Sequence, residues 1–204
     1  MPAATRRRLS PAILSLCLCA YAGLPWQAVS AESAAATAQN SSVGGDFTLT
    51  DYNGKPYSLK SDRGKVVLMF FGYTSCPDVC PTTLQTVTTV MKKLGDRARD
   101  VQPLFVSVDP KRDTPDHLKA YVHYFDPSIL AVTGSQSQLR DVTGRYGTFY
   151  RYTGDTASND YVVDHGSSLY VIDPGGQLSN IIPYGTPVDN IAAVISRLVS
   201  GPHT

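Results

Sequence analysis

The segment KVVLMFFGY, residues 65–73, is the feature that most constrains how this chain of 204 residues can fold. Its residues from Val66 to Phe71 are apolar without interruption, and the first two are β-branched. A strand with one solvent-exposed face alternates apolar and polar residues, whereas an unbroken apolar run of strand length is typical of a strand buried on both faces. The segment therefore predicts an interior strand of a parallel sheet.

The neighbouring segments predict further strands and helices in alternation. Upstream, DFTLTDYNGKPYSL alternates apolar and polar residues around an Asn-Gly pair, which is typical of a β-hairpin. Downstream, apolar residues at helical spacing predict a helix over residues 81–94, and VQPLFVSV predicts a second buried strand. Thr114 and Pro115 then have the residue types that are favoured at the N-cap and the first position of a helix.

The C-terminal part of the chain predicts two strand pairs and two more helices. The strand pairs are a second hairpin, from TFYRY to YVVDH, and the segments around Pro174-Gly175-Gly176. The helices are SQSQLRDVTGRYG and PVDNIAAVISRLVS. Alternating strands and helices predict a parallel core with an antiparallel edge. We therefore expect an α/β fold: a thioredoxin-like (peroxiredoxin-like) central mixed sheet flanked by helices, with an N-terminal β-hairpin and an inserted hairpin.

The first 31 residues have the features of an export signal. Three arginines at 6–8 precede an apolar run, and the small residues of AVSA at 28–31 suit cleavage by a signal peptidase. The run has about 16 residues, fewer than the roughly 20 of a membrane-spanning helix. The predicted organisation is a signal peptide or N-terminal membrane anchor over residues 1–31, a flexible linker over 32–45 and the folded domain over 46–201.

Export determines how the four cysteines are counted. Cys17 and Cys19 lie in the leader, so the folded domain contains Cys76 and Cys80. We expect that domain in the periplasm or on the outer face of the cytoplasmic membrane, where a disulfide can persist.

The charge of the chain argues against one class of partner. The formal net charge is +1, and the sequence has no basic stripe with interleaved aromatic residues. We therefore expect no nucleic-acid partner.

Cys76 and Cys80 lie where a buried strand meets a predicted helix. Because the residue before a proline avoids helical backbone angles, we expect Cys80 to be the N-cap and Pro81 the first helical residue. The free N–H groups and the dipole of a helix N-terminus favour the thiolate, which is the reactive and metal-binding form. Three residues between the cysteines leave room for a disulfide or for an ion between the sulfurs, and two thiolates suit Cu(I) or Zn(II).

Among the four histidines, His165 is the strongest candidate for a third ligand. In a thioredoxin-like sheet, the loop that enters the strand after YVVDH faces the start of the cysteine helix. A structural histidine is the alternative interpretation of this position. His117 and His123 lie on a predicted helix and are expected at its solvated surface or at the edge of the core, and His203 lies at the C-terminus.

Three motifs, GYTSCPDVCPTTL, SVDPKRDTP and YVVDHGSSLYVIDPGG, occur in this order and resemble the Sco (SenC/PrrC) family, copper-binding assembly proteins for cytochrome c oxidase. The resemblance extends from about Phe47 to Leu198 and includes both hairpins. It implies a thioredoxin-like fold and one copper, as Cu(I) and also as Cu(II), bound by Cys76, Cys80 and His165. It also implies a membrane anchor with the domain on the outer side.

The resemblance implies two alternative functions. The first is an extracytoplasmic metallochaperone that serves assembly of the binuclear copper site in cytochrome c oxidase subunit II. The second is a thiol–disulfide oxidoreductase that reduces the cysteines of that copper site, with one thiolate attacking and the other resolving the mixed disulfide. Another periplasmic copper chaperone or a thioredoxin-like reductant is a further expected partner. A purely structural disulfide is the third interpretation, but so short a loop would gain little stability from it.

Three acidic residues accompany these motifs. Asp109 and Asp113 are expected to cap a turn or a helix, with a role beside the metal as the alternative. Asp164 is expected either to orient His165 from behind or to serve as a turn residue. Gly166 stands where a bulkier residue would be expected after the histidine, and we expect glycine to loosen that loop.

Overall fold

A computed structural model describes residues 43–199. The predicted leader, residues 1–31, and most of the predicted linker, residues 32–45, lie outside the described residues, and both stay predictions. At the start of the described part, Gly44 is buried and donates its N–H to the Arg145 carbonyl at 2.7 Å. None of the described helices combines the length and the apolar character that crossing a membrane requires.

The strands of the described chain form two sheets. In chain order they are β1 (Thr48–Asp51), β2 (Pro56–Ser58), β3 (Val66–Gly72), β4 (Val101–Ser107), β5 (Leu130–Thr133), β6 (Tyr150–Asp155), β7 (Asp160–His165), β8 (Leu169–Ile172) and β9 (Leu178–Ile182). Seven of them form a mixed sheet in the order β2-β1-β5-β4-β3-β8-β9, and β6 pairs with β7 in a sheet of its own. β3 runs parallel to β4 and antiparallel to β8, so the predicted parallel core with an antiparallel edge is confirmed.

Helices flank this sheet. They are α1 (Val79–Leu94), α2 (Pro115–Phe125), α3 (Gln136–Arg145) and α4 (Val188–Val199), and two short 3-10 segments lie at Leu59–Asp62 and Gly95–Asp100. Thr114 is the N-cap of α2 and Pro115 its first residue, as the sequence predicts. The α/β, thioredoxin-like class with a central mixed sheet, an N-terminal hairpin and an inserted hairpin is thereby confirmed.

β3 is buried along its whole length, as its unbroken apolar sequence predicts. Phe70 and Phe71 are at most 1% exposed, and Phe105 from β4 packs against Phe70 with ring centres 6.1 Å apart. Burial of each such side chain contributes about 1.5–3 kcal/mol to folding. The strand is therefore a rigid support for the loop that contains Cys76, which follows its C-terminal end.

The start of α1 differs from the prediction. Cys80 is not the N-cap, because the helix begins at Val79 with Asp78 as its N-cap. Its first backbone bond runs from the Thr82 N–H to the Asp78 carbonyl at 3.2 Å. Pro81 is accommodated in this first turn because the N–H that proline lacks would have no partner within the helix there. Cys80 is consequently a helical residue.

The strand β5 was not predicted. It has four residues, too few for a periodic pattern to stand out. β5 lies parallel to β4 and antiparallel to β1, with Thr50 opposite Thr133. It therefore joins the N-terminal hairpin to the rest of the sheet.

The inserted hairpin lies between α3 and β8, as predicted. β6 and β7 pair antiparallel from Tyr150 opposite His165 to Asp155 opposite Asp160. His165 is thus the last residue of β7, at the end of the hairpin where the chain returns to the seven-stranded sheet.

Candidate metal centre

The two cysteines lie on consecutive segments at the C-terminal end of β3. Cys76 is in the loop before α1, where its N–H donates to the Tyr73 carbonyl at 3.3 Å. Cys80 lies in the first turn of α1 and is fully buried, whereas Cys76 is half-buried. Neither is part of a disulfide, so this arrangement is the reduced form of the pair.

His165 meets the cysteines from the inserted hairpin. Its Nε2 atom lies 3.3 Å from the Cys80 sulfur, although the two residues are 85 positions apart in the chain. The imidazole ring packs edge-on against Phe70 and Tyr73, with ring centres 5.9 Å and 5.7 Å away. These aromatic contacts restrict the orientation of the imidazole ring.

A backbone carbonyl fixes the proton of this histidine. Nδ1 of His165 lies 2.9 Å from the Gly166 carbonyl oxygen. A carbonyl only accepts hydrogen bonds, so Nδ1 carries the proton and donates it. The neutral ring then has its lone pair on Nε2, which points at the cysteines, and a metal-binding histidine needs that tautomer.

The three side chains together form a candidate metal centre. The Sγ atoms of Cys76 and Cys80 and a ring nitrogen of His165 all lie within 4.8 Å of one another. Across residues 43–199, no other histidine, cysteine or carboxylate joins this group. The structure thus brings together the three residues that the sequence singled out, in an arrangement suited to three-coordinate binding.

The two thiols have opposite pKa shifts. The pKa of Cys76 is lowered, chiefly because the Cys80 thiol donates a hydrogen bond to its thiolate, with further hydrogen bonds from the backbone N–H groups of Asp78 and Cys80. The pKa of Cys80 is raised, because its proton is held in that same hydrogen bond and because the side chain is buried. Cys76 is therefore the thiolate of the pair and Cys80 the thiol.

Asp113 supports the loop that contains Cys76. Its carboxylate is buried and accepts hydrogen bonds from the Thr74 N–H at 3.1 Å, the Thr74 hydroxyl at 2.6 Å and the Ser107 hydroxyl at 2.5 Å. Burial raises the pKa of Asp113, while these hydrogen bonds oppose the rise. The expected helix-capping role belongs to Thr114 instead, and Asp113 joins the cysteine loop to the end of β4.

Asp109 supports the inserted hairpin. The carboxylate is fully buried and accepts hydrogen bonds from Arg112 Nε and from the Tyr161 hydroxyl, the latter at 2.7 Å. Its backbone carbonyl also accepts from the Asp113 N–H at 3.0 Å, so the expected turn role is present as well. Neither Asp109 nor Asp113 belongs to the group of three side chains around the sulfurs.

The structure assigns different partners to the two residues that flank His165. Asp164 does not orient the histidine, because its carboxylate accepts from Arg151 and from the Thr153 hydroxyl, each at 3.2 Å, on the other face of the hairpin. Gly166 makes two hydrogen bonds, because its N–H donates to the Phe149 carbonyl at 3.1 Å and its own carbonyl accepts from His165 Nδ1 at 2.9 Å. The expected loosening of the loop stays a prediction. A Cβ atom at position 166 would clash with the Thr148 hydroxyl unless that side chain rotated away.

The remaining histidines lie away from this centre. His117 and His123 are exposed on α2, as expected, where their ring nitrogens lie near the Arg112 carbonyl and the Tyr52 hydroxyl. His203 lies outside the described residues. Sequence reasoning missed the supporting residues Gly72, Tyr73, Thr74 and Arg112, because their contacts appear only in the folded chain. All four lie within the motifs GYTSCPDVCPTTL and SVDPKRDTP, which was the available signal.

Comparison with known proteins places these features in a family context. The family model SCO1/SenC matches residues 35–200. An SCO2-like protein of Rickettsia conorii is 42% identical over 127 residues, which cover 62% of this chain and 62% of that protein. The match thus spans less than two thirds of that relative's length.

Solved structures extend the similarity to three dimensions. The structure of Bradyrhizobium japonicum ScoI with copper bound has a TM-score of 0.70 and 37% identity, covering 76% of this chain and 99% of that one. BsSco, described as a member of the Sco family of cytochrome c oxidase assembly proteins with a disulfide switch, has a TM-score of 0.60 and 30% identity over 76% of this chain and 92% of its own.

Proposed function

This chain belongs to the SCO1/SenC family, and we propose that it is a metallochaperone that binds one copper ion through Cys76, Cys80 and His165. The observation that carries the proposal is the convergence of the three ligand atoms within 4.8 Å. The Gly166 carbonyl supports it further, because it sets the tautomer that leaves Nε2 free to bind. The similarity to a ScoI structure with copper bound agrees with this assignment.

The donor atoms favour copper over other metals. Two thiolate sulfurs are soft ligands that select Cu(I), and an imidazole nitrogen suits copper in either oxidation state. Structural zinc sites are almost always four-coordinate, and the described residues offer three ligands here. Cu(II) would be held by the same residues with water completing a tetragonal site.

The exposure of the two sulfurs indicates the route of delivery. Cys80 is fully buried and Cys76 is half-buried, so an acceptor thiolate reaches the ion from the Cys76 side. A bond from the ion to the acceptor sulfur forms as the bond to Cys76 breaks. The same exchange at Cys80 and His165 completes transfer without releasing the ion into solution.

The setting and the partners are also proposals. The N-terminal sequence supports export, by a signal peptide or with an N-terminal anchor, to the periplasm or the outer face of the cytoplasmic membrane. There the protein would serve assembly of cytochrome c oxidase, with the copper site of subunit II as acceptor. A second periplasmic copper chaperone or a thioredoxin-like reductant would load or reduce the cysteine pair.

The asymmetry of the cysteines favours a second candidate function, thiol–disulfide reduction. Cys76, with its lowered pKa, would attack a partner disulfide, forming a mixed disulfide and releasing the partner's other sulfur as a thiolate. Cys80 would then displace the partner as a dithiol and close the Cys76–Cys80 disulfide. Two electrons pass from this chain to the partner. The disulfide switch of the similar BsSco is consistent with such chemistry.

A Cu(I) titration of the reduced protein against a competing chelator tests the first function. We expect wild type to bind one copper and His165→Ala to bind at least about tenfold more weakly, because a ligand is lost. His123→Ala is the matched control, since that histidine is exposed on α2 and contacts Tyr52. Equal affinity of wild type and His165→Ala would contradict the three-ligand site. Undiminished disulfide reduction by His165→Ala would then favour the reductase.

A further inference from the structure

The inserted hairpin carries His165, yet in the described chain no backbone ladder joins β6 or β7 to the seven-stranded sheet. Apart from the short chain connection to β8, which begins at Leu169, side-chain contacts hold the histidine near the cysteines. We propose that Arg112, in the loop between β4 and α2, is the positioning residue that holds His165 in the metal centre. This inference rests on the proposed function, in which His165 is a copper ligand.

Arg112 binds the inserted hairpin through contacts with Tyr161. Its Nη1 donates to the Tyr161 carbonyl at 2.9 Å, and its guanidinium carbon lies 3.7 Å from the centre of the Tyr161 ring. Its Nε donates to Asp109, and the other oxygen of that carboxylate accepts from the Tyr161 hydroxyl at 2.7 Å. Arg112, Asp109 and Tyr161 thus form a closed set of contacts between the loop and β7.

Burial makes this set of contacts rigid. Asp109 is 0% exposed and the Arg112 side chain 16% exposed. A surface ion pair is screened by water and contributes little, but removing one partner of a buried pair leaves the other charge uncompensated. Both charges lie in the loop, so separating the loop from the hairpin would break the buried hydrogen bonds that each of them makes to Tyr161.

The same guanidinium also contacts Tyr73, which packs against the imidazole ring of His165. It lies 5.4 Å from the centre of the Tyr73 ring, and Tyr73 packs edge-on against His165 at 5.7 Å. Two neighbours in the loop add contacts to the hairpin: the Val108 carbonyl accepts from the Tyr152 hydroxyl at 2.6 Å, and Lys111 donates to the Thr156 carbonyl. The loop after β4 is thus the main support of the hairpin on this side.

The geometry requires arginine rather than a positive charge alone. A planar guanidinium donates in two directions while stacking on an aromatic ring, whereas a lysine ammonium is a single point charge. Arg112→Lys therefore keeps the charge next to Asp109 but loses the simultaneous contacts to Tyr161. This variant avoids leaving a buried carboxylate unpaired, so it should fold.

The first test uses the copper-free protein and needs no metal site. Hydrogen exchange should show the β6 and β7 amides of Arg112→Lys exchanging roughly tenfold faster than in wild type, since about one hydrogen bond to a charged group is lost. NMR contacts between the His165 and Tyr73 rings should weaken. Arg63→Lys, which alters an arginine paired with Asp46 elsewhere, should change neither. Unchanged hairpin exchange, or equally faster exchange in β3, would overturn the proposal.

A double-mutant cycle tests whether Arg112 acts through His165. Arg112→Lys should lower Cu(I) affinity roughly tenfold when His165 is present and have no further effect in the His165→Ala background. An equal loss in both backgrounds would show a general structural role and overturn the proposal. If wild type bound no copper, the proposed function would fail, and the exchange and ring-contact measurements would still decide whether Arg112 positions the hairpin.

Discussion

At the scale of single residues, Gly72 at the end of β3 determines where the Cys80 sulfur can lie. A Cβ atom at position 72 would lie 2.7 Å from the Cys80 sulfur and 2.9 Å from ring atoms of Phe70 and Phe105. Both rings are tightly packed core groups that cannot move aside cheaply. Glycine at position 72 therefore leaves the space that the Cys80 sulfur occupies in the metal centre.

We expect Gly72→Ala to lower both stability and Cu(I) affinity. Overpacking of this kind costs about 1–3 kcal/mol of unfolding free energy, measurable by urea denaturation, and it displaces Cys80. The control is Gly144→Ala in α3, where a Cβ atom would meet nothing within 4 Å. That change should leave copper affinity unaltered and stabilise the helix by up to about 1 kcal/mol. Wild-type behaviour of Gly72→Ala would show that the site tolerates the extra methyl group.

The pKa of Cys76 leads to a prediction about pH. An ordinary cysteine has a pKa of about 8.5 and reacts about tenfold more slowly for each pH unit below it. A lowered pKa leaves Cys76 deprotonated at every pH above that lowered value, so its alkylation by iodoacetamide should stay fast as the pH falls from about 9 to about 6. Cys80, with its raised pKa, should react slowly throughout. Mass spectrometry of alkylated peptides distinguishes the two, and a tenfold slowing per pH unit at Cys76 would contradict the shift.

Residue types predicted the three candidate ligands of the metal centre better than they predicted the residues that hold those ligands in place. Cys76, Cys80 and His165 could be singled out because thiolates and imidazole have recognisable chemistry and lie in recognisable motifs. One of the two roles expected of Asp164, orienting His165, failed because side chains alternate along a strand, so Asp164 faces away from its neighbour His165. That alternation could be applied only once position 165 was known to be strand rather than turn.

At the scale of elements, strands and helices with long sequence patterns were predictable, whereas a short strand was not. β3, β4 and both hairpins follow from apolar runs and turn residues. β5 was missed because four residues carry no periodicity, although it connects β1 to β4. The start of α1 was misplaced because the preference of a residue before proline for extended angles is a bias, and the first turn of a helix overrides it at Cys80.

We expect that a helix away from the metal centre, α3, can be destabilised without changing copper binding. Ser135 and Gln138 form a reciprocal capping box at its N-terminus. Ser135→Ala should reduce the unfolding free energy by about 1 kcal/mol, since a backbone N–H loses its partner. Cu(I) affinity should not change. Ser179→Ala is the control and should cost less, because Ser179 is exposed on β9 and its hydroxyl contacts Asn180. A loss of copper affinity in Ser135→Ala would mean that α3 is coupled to the centre.

At the scale of the whole molecule, the centre exists because two distant parts of the chain meet. The end of β3 supplies both cysteines, and the inserted hairpin supplies His165 from 85 positions beyond Cys80. Local patterns predicted each part, but their meeting depends on strand order and on side-chain contacts such as those of Arg112. The thioredoxin-like topology expected from the order of elements predicted that the two parts face each other, and the family resemblance implied that they bind one copper together.

Copper should stabilise the reduced protein as a whole. A ligand that binds only the folded state adds about 2.7 kcal/mol when its concentration is 100 times Kd, so Tm should rise with added Cu(I). Oxidation to a Cys76–Cys80 disulfide removes both thiolates, and the rise should disappear. Cys76→Ser is the control and should also show a diminished shift. An equal Tm shift in oxidised and reduced protein, measured by calorimetry, would place copper elsewhere.

X-ray absorption at the copper edge tests the central claim most directly, because it reports the atoms bound to the ion. For the reduced protein with one Cu(I), we expect two sulfur neighbours and one imidazole nitrogen, and in His165→Ala the nitrogen should be lost. A wild-type spectrum with sulfur neighbours alone, or one identical to that of His165→Ala, would contradict binding by Cys76, Cys80 and His165.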